Sequence, residues 1–599
     1  MKKYIHNTRT VLLALLLGVC TGCNEEIDSL ETETGEEITT IRSLMEEGSL
    51  LIKTEQNEDK HLFYFETDTL VIPYHKIIQL TPDIDNWKTT LLFADNTILE
   101  IPTLGTSFHL SDKNIKLDPT GYAPLSAELN LLLPTSGYLT VCVKGKHDGA
   151  DLSHTFKKYG SAYRVNVHGL YENHTNTVYI TQTNKQGKVR LTDSVKITVP
   201  DLQLNTQYPQ ISMIIAQREK MEPGVSLMTF LGDNEYDTHR PFIIDNYGDI
   251  RWLLRLKDHP EMRITAHTGL KRNKKGNFYC GDVKTGRILE FDMVGNILNT
   301  WNIQEKGYSF HHDVIEIPNG HLIATASKDG SIGQDGKVTT YDYVVEVDNE
   351  TGDIVNEWDL KKSLDETRKT FVPAGDTIAV FGNWAHGNAV IYSEDDDCII
   401  VSCRYQGVAK LTRNNQLKWI MTPHKEWKNS LTLLKPLDAK GEKIADIEIL
   451  NGEKNHDDFE WCWGQHCPVF MPNGNILLLD NGFYRNYQTY DKDREKAYTR
   501  SVEYKINEEQ KTIQQVWEYG KERGKSCFAM GVSSTDYLPK TNHVLFCPGV
   551  GTPTVNGRGG RIIEVDYKTK EVISEFHFSV PNYLAFHRAN RISLYPEGL

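Results

Sequence analysis

The sequence predicts an all-β protein, a six-bladed β-propeller preceded by an N-terminal β-sandwich domain. From about residue 240 onward, a β-hairpin pattern with a polar turn recurs six times, often with a tryptophan. Hairpins with a Pro-Asn-Gly turn lie between these copies. Two hairpins in each repeat supply the four strands of one propeller blade. Helical periodicity is nearly absent from the chain.

The six hairpin copies share alternating apolar residues on both sides of a polar turn. They occupy residues 242–254, 287–303, 343–360, 407–421, 500–520 and 560–578. Their spacing along the chain is irregular. A large β-sandwich and a propeller of seven or eight blades therefore stay open as alternatives.

The composition is that of an ordinary globular protein, with 39% hydrophobic and 25% charged residues over 599 positions. The formal net charge of −15 argues against binding to nucleic acid or to an acidic membrane surface, because both partners require a basic face. An anionic substrate must therefore be held by a local cluster of cationic side chains.

The N-terminus has the pattern of a targeting segment. Basic residues precede an apolar run at 11–19, which is too short to span a bilayer as a helix. Cys23 follows Gly22 as in a bacterial lipobox, so we expect residues 1–22 to be a lipoprotein signal peptide and Cys23 to be lipidated. Cleavage without lipidation is the alternative. The protein is then exported and lipid-anchored to the outer membrane, facing the periplasm or the cell surface.

Three regions follow the signal peptide. Residues 23–58 are acidic and polar, which predicts a disordered tether. Residues 59–205 hold short strands without the blade pattern, which predicts a separate β-sandwich. Residues 206–599 form the predicted propeller and carry the candidate catalytic residues.

Eight cysteines follow Cys23, and an exported compartment permits disulfides. Cys398 and Cys403 share one predicted strand and would lie roughly 16 Å apart, too far for a bond. Cys462 and Cys467 flank a histidine in a non-strand stretch, where a disulfide between them is feasible. No Cys and His residues have the short spacing of a zinc site. Neither a metal nor another cofactor is predicted.

Three histidines stand at the starts of predicted inner strands. His312 and His466 each precede a Pro-Asn-Gly turn by six positions, and His386 begins the strand of a third blade. Inner strands line the central channel of a propeller, and their starts ring one mouth of it. These three side chains are therefore expected to converge.

Antiparallel pairing brings further polar side chains to this mouth. A turn in the SEDDD segment places Arg404 opposite His386, with Asn388 on the same face. Antiparallel pairing about the turn at Asn473 likewise places Asn481 close to His466. An arginine fork suits a tetrahedral oxyanion, and a histidine can act as nucleophile or general acid/base. The set predicts an anion site with a reactive histidine.

A structural role is the alternative for each of these histidines, because a single histidine before a strand is usually packed or solvated. Pro-Asn-Gly is by itself only a turn signal. The sequence contains no Ser-His-Asp order, nucleophile elbow, HExxH motif or phosphate-binding loop. The usual hydrolase and nucleotide-binding functions therefore have no motif support.

Several long segments resemble the bacterial aryl-sulfate sulfotransferase family. In the predicted propeller these are FHHDVIEIPNGH, NWAHGNAVIYSEDDDCIIVSCRYQGVAKL, GQHCPVFMPNGNILLLDNG and YTRSVEYKINEEQKTIQQVWEYG. LDPTGYAPLSAELNLLLP and VHGLYENHTNTVYI resemble the N-terminal β domain of that family. The resemblance runs from about residue 100 to the C-terminus.

The resemblance implies a six-bladed propeller with an N-terminal β-sandwich. It also implies transfer of a sulfuryl group from a phenolic sulfate ester to a phenol acceptor, without the nucleotide donor PAPS. The implied reaction is ping-pong through a sulfohistidine, with His466 as nucleophile. His312, His386, Asn388 and Arg404 match the family's sulfate-binding residues, and either His312 or His386 would exchange the phenolic proton.

Two further features rest on the resemblance. A hydroxyl donor from a later blade is implied at Ser533, with Ser534 and Thr535 as alternatives, and a homodimer through the N-terminal domain is suggested. An arylsulfatase-like hydrolase, in which water replaces the phenol, is one alternative function. A non-catalytic propeller lipoprotein that binds a glycan or a protein is another.

Overall fold

The computed structural model describes residues 25–56, 59–83, 88–103, 112–230, 240–262, 269–282, 285–368, 382–428, 430–488, 494–580 and 586–596. The predicted signal peptide and Cys23, the predicted lipidation site, lie outside the described residues. Among the residues that are described, no helix is both long enough and apolar enough to cross a membrane.

The segment predicted as a disordered tether, residues 23–58, contains regular secondary structure where the structure describes it, at residues 25–56. It forms the helix α1 (Glu25–Glu46) and the strand β1 (Leu51–Gln56). Ile38, Ile41 and Leu44 recur every three residues along α1 and are buried, because this spacing places them on one helix face. That face packs into a core with the following strands. These apolar residues stand among many acidic and polar ones, so their helical spacing is not evident from the composition of the segment.

Two three-stranded antiparallel sheets complete the N-terminal module, in the orders β1-β2-β3 and β4-β5-β6. The strands after β1 are β2 (Lys60–Phe65), β3 (Thr69–Pro73), β4 (Ile77–Asp83), β5 (Lys88–Phe93) and β6 (Ile98–Pro102). Both sheets and α1 share one hydrophobic core.

A five-stranded sheet follows, with β8 between β9 and a β11-β10 pair. Its strands are β7 (Ile115–Leu117), β8 (Ser126–Val143), β9 (Leu152–His168), β10 (His174–Thr183) and β11 (Val189–Val199). Its buried residues belong to the same core as those of the first propeller blades. The single β-sandwich predicted for residues 59–205 is therefore two units with separate cores. Apolar alternation reveals strands but not which strands share a core.

In the described part of the chain, six sheets, each with at least four antiparallel strands, form the propeller, and the predicted blade number is confirmed. From the inner strand outward, blade I is β38 (Phe586–Ile592), β13 (Val225–Phe230), β14 (Arg240–Ile244) and β15 (Ile250–Leu253). Blade II is β16 (Lys271–Arg272), β17 (Phe278–Asp282), β18 (Arg287–Phe291) and β19 (Ile297–Trp301). Blade III is β20 (Tyr308–Glu316), β21 (Leu322–Lys328), β22 (Tyr343–Val347) and β23 (Ile354–Asp359).

Blades IV to VI continue in the same order. Blade IV is β24 (Gly387–Ser393), β25 (Cys398–Cys403), β26 (Gly407–Thr412) and β27 (Leu417–Met421). Blade V is β29 (His466–Phe470), β30 (Ile476–Asp480), β31 (Arg500–Asn507) and β32 (Thr512–Tyr519). Blade VI is β33 (Ser534–Leu538), β34 (His543–Cys547), β36 (Gly557–Asp566) and β37 (Val572–Val580). The inner strands of blades III to VI and of blade I contact one another in that order around the channel.

Additional elements lie at the blade edges and in the connections. The remaining strands are β12 (Gln210–Ala216), β28 (Lys435–Leu437) and β35 (Thr552–Thr554). The short α-helices are α2 (Leu204–Gln207), α3 (Leu360–Ser363) and α4 (Ile447–Leu450). The 3₁₀ helices are Tyr74–Lys76, Asp112–Asn114, Arg218–Lys220, Leu256–Asp258, Ile303–Lys306, Ser430–Thr432, Arg485–Tyr487, Arg494–Lys496 and Lys521–Cys527.

Each predicted hairpin copy is the outer strand pair of a different blade, so the repeat was identified correctly. Residues 242–254 hold β14 and β15, for example, and residues 560–578 hold β36 and β37. The ring closes at both ends of the propeller chain. C-terminal β38 pairs with β13 inside blade I, and β12 pairs with β37 outside blade VI.

The recurring tryptophans join neighbouring blades. Indole Nε1 atoms on the outermost strands donate to a main-chain carbonyl of the next blade at four positions: Trp252 to Met293, Trp301 to Asn349, Trp358 to Thr412 and Trp517 to Tyr567. Trp419 donates instead to the Glu508 carboxylate of the next blade, at 3.0 Å. Blade VI has Phe576 in place of a tryptophan, and its ring lies next to Gly248 of blade I.

Candidate active site

The channel mouth is built from irregular entries into the inner strands. Strand pairing is interrupted at Phe310/Val314 in blade III, at Gly387/Ala389 in blade IV and at His466/Val469 in blade V. In these entries His312, His386 and Cys467 take the left-handed conformation, with φ of 53°, 55° and 52°. Bulges of this kind re-aim side chains and concentrate at functional sites. The same kind of bulge at the start of the inner strand therefore directs polar side chains into the mouth in three blades.

His466 is held at one ring nitrogen by two acceptors. Its Nδ1 lies 2.7 Å from Asn481 Oδ1 and 3.0 Å from the Gly464 carbonyl oxygen. The Asn481 amide is itself oriented, since its Nδ2 donates to the carbonyls of Ala529 and Val532. Both neighbours of Nδ1 are therefore oxygens that accept. The proton belongs on Nδ1, and Nε2 carries the lone pair.

His466 is neutral at physiological pH. Burial, as the main cause, and the nearby Arg404 guanidinium together lower its pKa to about 3. A charged imidazolium has no lone pair with which to attack, so a low pKa keeps the residue in its nucleophilic form. The same arginine offers positive charge to an anion beside the histidine.

Arg404 lies where pairing arithmetic placed it. Its main-chain N–H donates to the His386 carbonyl at 3.0 Å, which confirms the predicted opposition of the two residues. The guanidinium lies over the Phe483 ring, 4.4 Å from its centroid, and Nη2 donates to the Met530 carbonyl at 3.2 Å. Its Nε is buried without a hydrogen-bond partner among the described residues. This unused donor is available to an anionic ligand.

His312 and His386 form an aromatic cluster with Tyr341 at the mouth. Their ring centroids are 4.9 Å apart, and both rings lie against Tyr341 at 5.5 and 5.4 Å. His312 is also 6.5 Å from the ring of His587, which comes from β38. The structure thus brings together histidines of blades I, III and IV, although the sequence separates the outermost two by more than 270 positions.

Asn388 is engaged with the protein in a way the sequence did not indicate. Its Nδ2 donates to the Gln465 carbonyl at 2.8 Å, and its Oδ1 is buried without a partner among the described residues. The residue therefore ties blade IV to the peptide that precedes His466. Direct contact of Asn388 with substrate stays a prediction.

The hydroxyl predicted at Ser533 is already in use. Its single proton is donated to the Gly531 carbonyl at 3.0 Å, and its oxygen accepts the Gly549 N–H at 2.9 Å. The hydroxyl of Ser534 donates to Ala589, and that of Thr535 pairs with Ser501. In this structure a tight turn uses the proton of Ser533, and its role as a donor to substrate stays a prediction.

The disulfide predicted between Cys462 and Cys467 is not formed, and both residues are buried free thiols. The two sulfur atoms face different surroundings: Cys462 Sγ lies 3.8 Å from Met421 Sδ, and Cys467 Sγ lies 3.5 Å from the Thr535 carbonyl oxygen. Burial raises the pKa of both thiols. Short spacing around His466 suggested the bond, but the local backbone directs the two side chains apart.

A buried ion cluster at the channel was missed from the sequence. Asp313, directly after His312, accepts from Arg588 Nη1 and pairs with Lys271 Nζ, both at 2.9 Å. Burial would raise the pKa of Asp313, but the two cations hold it below its usual value. The inner strands of blades I, II and III are thereby joined below the histidines. The HRAN segment at residues 587–590 was the available signal, since it opens the last inner strand with a histidine and an arginine.

The assembled mouth suits an anion and a nucleophilic attack. The rings of His312 and His386, the Arg404 guanidinium with its unused Nε–H, and the Nε2 lone pair of His466 converge there. Among the described residues, no group of three or more His, Cys, Asp or Glu side chains is arranged to hold a metal ion. The chemistry available from these side chains is group transfer through an imidazole nitrogen.

Comparison with known proteins agrees with this chemistry. A family model described as arylsulfotransferase (ASST) matches residues 210–585, and a model of the arylsulfotransferase Ig-like domain matches residues 114–200. Arylsulfate sulfotransferase AssT of Escherichia coli is 32% identical over 541 residues, covering 76% of this chain and 88% of that protein. The enzyme of the same name from Lelliottia amnigena is 30% identical, with the same coverage of each chain.

Solved structures are only distantly similar. A crystal structure of a protein of unknown function from Bacteroides caccae shares 11% identity at a TM-score of 0.34, covering 61% of this chain and 98% of that chain. The fold assignment accordingly rests on the sheet topology. The family model spans nearly the whole propeller and the Ig-like model spans the five-stranded sheet before it, so the chain belongs to the arylsulfotransferase family and is an aryl sulfotransferase.

Proposed function

We propose that the enzyme moves a sulfuryl group from a phenolic sulfate ester to a phenol acceptor in two steps, through a covalent sulfohistidine at His466. Membership of the family gives aryl sulfotransfer. The covalent intermediate and the ping-pong order are the finer part of the proposal. A sulfate ester as donor, in place of PAPS, is consistent with a sequence that has no phosphate-binding loop.

The observation that carries the proposal is the hydrogen bonding of His466. With its Nδ1–H directed at Asn481 and Gly464, the lone pair is on Nε2, the form required of a nucleophile. Attack of Nε2 on sulfur breaks the S–O bond to the aryl group and places positive charge on the ring. The two oxygen acceptors at Nδ1 then stabilise that charge, as a carboxylate does in a serine protease.

The other side chains at the mouth act on the sulfuryl oxygens. Sulfuryl transfer resembles phosphoryl transfer, with a loose, in-line transition state and charge on the non-bridging oxygens. Arg404 supplies a fixed cation and a spare N–H, and the rings of His312 and His386 lie together beside the site. An oriented donor of this kind is typically worth about 2.7–4 kcal/mol in the transition state.

The test compares wild-type protein with His466→Ala, using p-nitrophenyl sulfate with and without added phenol and without PAPS. We expect phenol-dependent release of p-nitrophenol by the wild type and none by the variant. After incubation with donor alone, the peptide that contains His466 should gain the mass of one SO₃ group. His75→Ala, at an exposed histidine of the N-terminal module, serves as the matched control and should retain full activity.

Other outcomes would redirect the assignment. Release by the wild type that ignores phenol indicates a hydrolase that uses water as acceptor. Equal release by wild type and His466→Ala shows that another histidine is the nucleophile. Absence of activity with every phenol tried leaves the sulfohistidine route without support.

We also propose that the protein is exported and carries lipid on Cys23. The sequence of the first 23 residues supports this proposal. Radiolabelled palmitate should enter the wild type and should be lost from Cys23→Ser, which should also leave the membrane fraction. Incorporation that survives the substitution would refute Cys23 as the lipidated residue.

A further inference from the structure

Asp480 has no role in the scheme above, although it is fully buried directly before Asn481. It is the last residue of β30, and its pair on β31 is Arg500. One carboxylate oxygen, Oδ1, accepts the main-chain N–H of Trp463 at 2.9 Å and that of Gly482 at 3.0 Å. These two N–H groups belong to different chain segments, one before β29 and one after β30. The Asp480 carboxylate therefore joins the two segments.

The two joined segments are the ones that hold His466. Its Nδ1 lies 3.0 Å from the Gly464 carbonyl oxygen and 2.7 Å from Asn481 Oδ1. Each of these acceptors belongs to the chain neighbour of a residue whose N–H binds Asp480. A shift of either segment would therefore move one acceptor away from the imidazole.

The second oxygen of the Asp480 carboxylate fixes its orientation. Oδ2 accepts from Arg500 Nε at 2.9 Å and from Arg485 Nη2 at 2.8 Å. Two hydrogen bonds at each oxygen use the acceptor capacity of a carboxylate in full. Pairing with the arginines offsets the cost of burying the charge and leaves Oδ1 directed at the main-chain N–H groups. A neutral amide at this position could not accept on both sides.

We propose that Asp480 is a positioning residue that holds the two hydrogen-bond acceptors of the nucleophile His466 in place. This inference rests on the proposed function. Asp480 acts through the main chain on both sides of the site, at Gly464 and at Asn481. When Nε2 attacks sulfur, positive charge develops on the ring, and acceptors that are already in position stabilise it without rearrangement. Loss of the Asp480 carboxylate should therefore slow the transfer step itself.

The test is a single-turnover measurement of wild type and Asp480→Asn with p-nitrophenyl sulfate and no acceptor. Asn keeps the shape of the side chain but has only one acceptor oxygen. We expect the rate constant for p-nitrophenol release to fall by about tenfold to a hundredfold. The fraction of His466 peptide that finally gains one SO₃ group should equal that of wild type. A purely structural role would give the opposite pattern, a smaller sulfated fraction at an unchanged rate constant.

Asp245→Asn is the matched control. Asp245 is 5% exposed, and its Oδ1 accepts the main-chain N–H groups of Tyr247 and Asp249, while Oδ2 accepts from Arg251 Nη1 at 2.7 Å. This carboxylate has the same kind of contacts as Asp480, but it lies in the turn between the outer strands β14 and β15 of blade I. Its replacement should lower the unfolding temperature and leave the single-turnover rate constant unchanged.

A double variant tests whether Asp480 acts through Asn481. Asp480→Asn combined with Asn481→Ala should lose less activity than the product of the two separate factors, because both changes remove the same contact to the ring. Factors that multiply would show that the two residues act independently, and would overturn the inference.

Asp480→Glu covers the case in which Asp480→Asn does not fold. Glu keeps the charge that Arg485 and Arg500 require, but its extra methylene displaces the carboxylate from the two N–H groups. The rate constant should again fall. Wild-type rate constants in the folded Asp480 variants overturn the inference while the sulfohistidine still forms. If the His466 peptide of wild type gains no SO₃ group, the proposed function itself fails, and the inference fails with it.

Discussion

At the residue scale, the hydrogen-bond partners of His466 decide which of its ring nitrogens carries the proton. Burial alone makes His466 neutral, but a neutral imidazole can carry its proton on either nitrogen. Asn481 selects the form, because its amide is turned by the carbonyls of Ala529 and Val532 so that Oδ1 faces the ring. The proton position on His466 therefore depends on a chain of contacts that begins in the loop before blade VI.

Asn481→Ala should lower kcat for p-nitrophenyl sulfate by about tenfold to a hundredfold, since a hydrogen bond that becomes charge-assisted in the transition state is lost. Asn481→Asp keeps an acceptor but adds a negative charge, which raises the pKa of His466 from its value of about 3. The protonated ring cannot attack, so this variant should lose activity as the pH falls through the raised pKa.

The measurement is kcat against pH between pH 4.5 and 8 for wild type and both variants. His466 of the wild type stays neutral throughout this window, so its own ionisation should produce no acidic limb. An unchanged profile in Asn481→Asp would show that Asn481 does not control the state of His466. Arg404 and Arg588, the charged groups that act on His466, are present in all three proteins.

At the element scale, the blade hairpin combines two functions. Its alternating apolar residues pack one blade against the next, and its tryptophan Nε1 bonds across the gap to the following blade. Trp358 is an example, with a 1% exposed side chain that donates to the Thr412 carbonyl at 2.8 Å. The tryptophans noted in the sequence therefore hold the ring together and do not face the channel mouth.

Trp358→Phe should lower the free energy of unfolding by about 1 kcal/mol from the lost hydrogen bond, with a further cost for the smaller ring. Trp358→Ala should cost about 3–5 kcal/mol, because it also leaves a large cavity. Thermal unfolding followed by circular dichroism ranks the variants against wild type. At a temperature below the unfolding transitions of both variants, their transferase activity should equal that of wild type. Loss of activity there would contradict a purely structural role of Trp358.

At the scale of the whole molecule, strands from the two ends of the propeller chain close the ring of blades. Strand β38 is the inner strand of blade I and carries His587 and Arg588 to the channel. Arg588 pairs there with Asp313, next to His312. By contrast, α1 and the first two sheets have a hydrophobic core of their own. The C-terminus is thus part of the site, whereas the first module is set apart from it.

A chain that ends at residue 585 should fail to form a stable propeller, because blade I loses the strand that faces the channel and Asp313 is left buried with one cation fewer. A chain that begins at residue 112 should fold and retain transferase activity. Solubility, thermal unfolding and release of p-nitrophenol measure both. Activity in the C-terminally shortened chain, or unfolding of the N-terminally shortened chain, would contradict this division.

The site residues differ in how far the sequence could place them. His312, His386 and His466 follow from the repeat, because equivalent positions in a closed ring converge, and Arg404 follows from the pairing of one hairpin. The pairing of Asn481 with His466 also follows from hairpin arithmetic. The engagement of Ser533 with Gly531, and the separation of Cys462 from Cys467, depend on left-handed turns that have no signature in the sequence.

The sequence by itself determined the repeated hairpin, which is the outer strand pair of each blade, and the histidines at the strand starts, because period-two alternation and turn residues are local signals; the sheet pairing then decided that there are six blades. Only the tertiary structure decided which strands share a core, that the acidic N-terminal segment packs as a helix, and that Arg588 returns from the C-terminus to Asp313. It also decided which oxygen atoms face Nδ1 of His466. These are contacts between residues far apart in the chain, and a local pattern carries no information about which distant partner completes them.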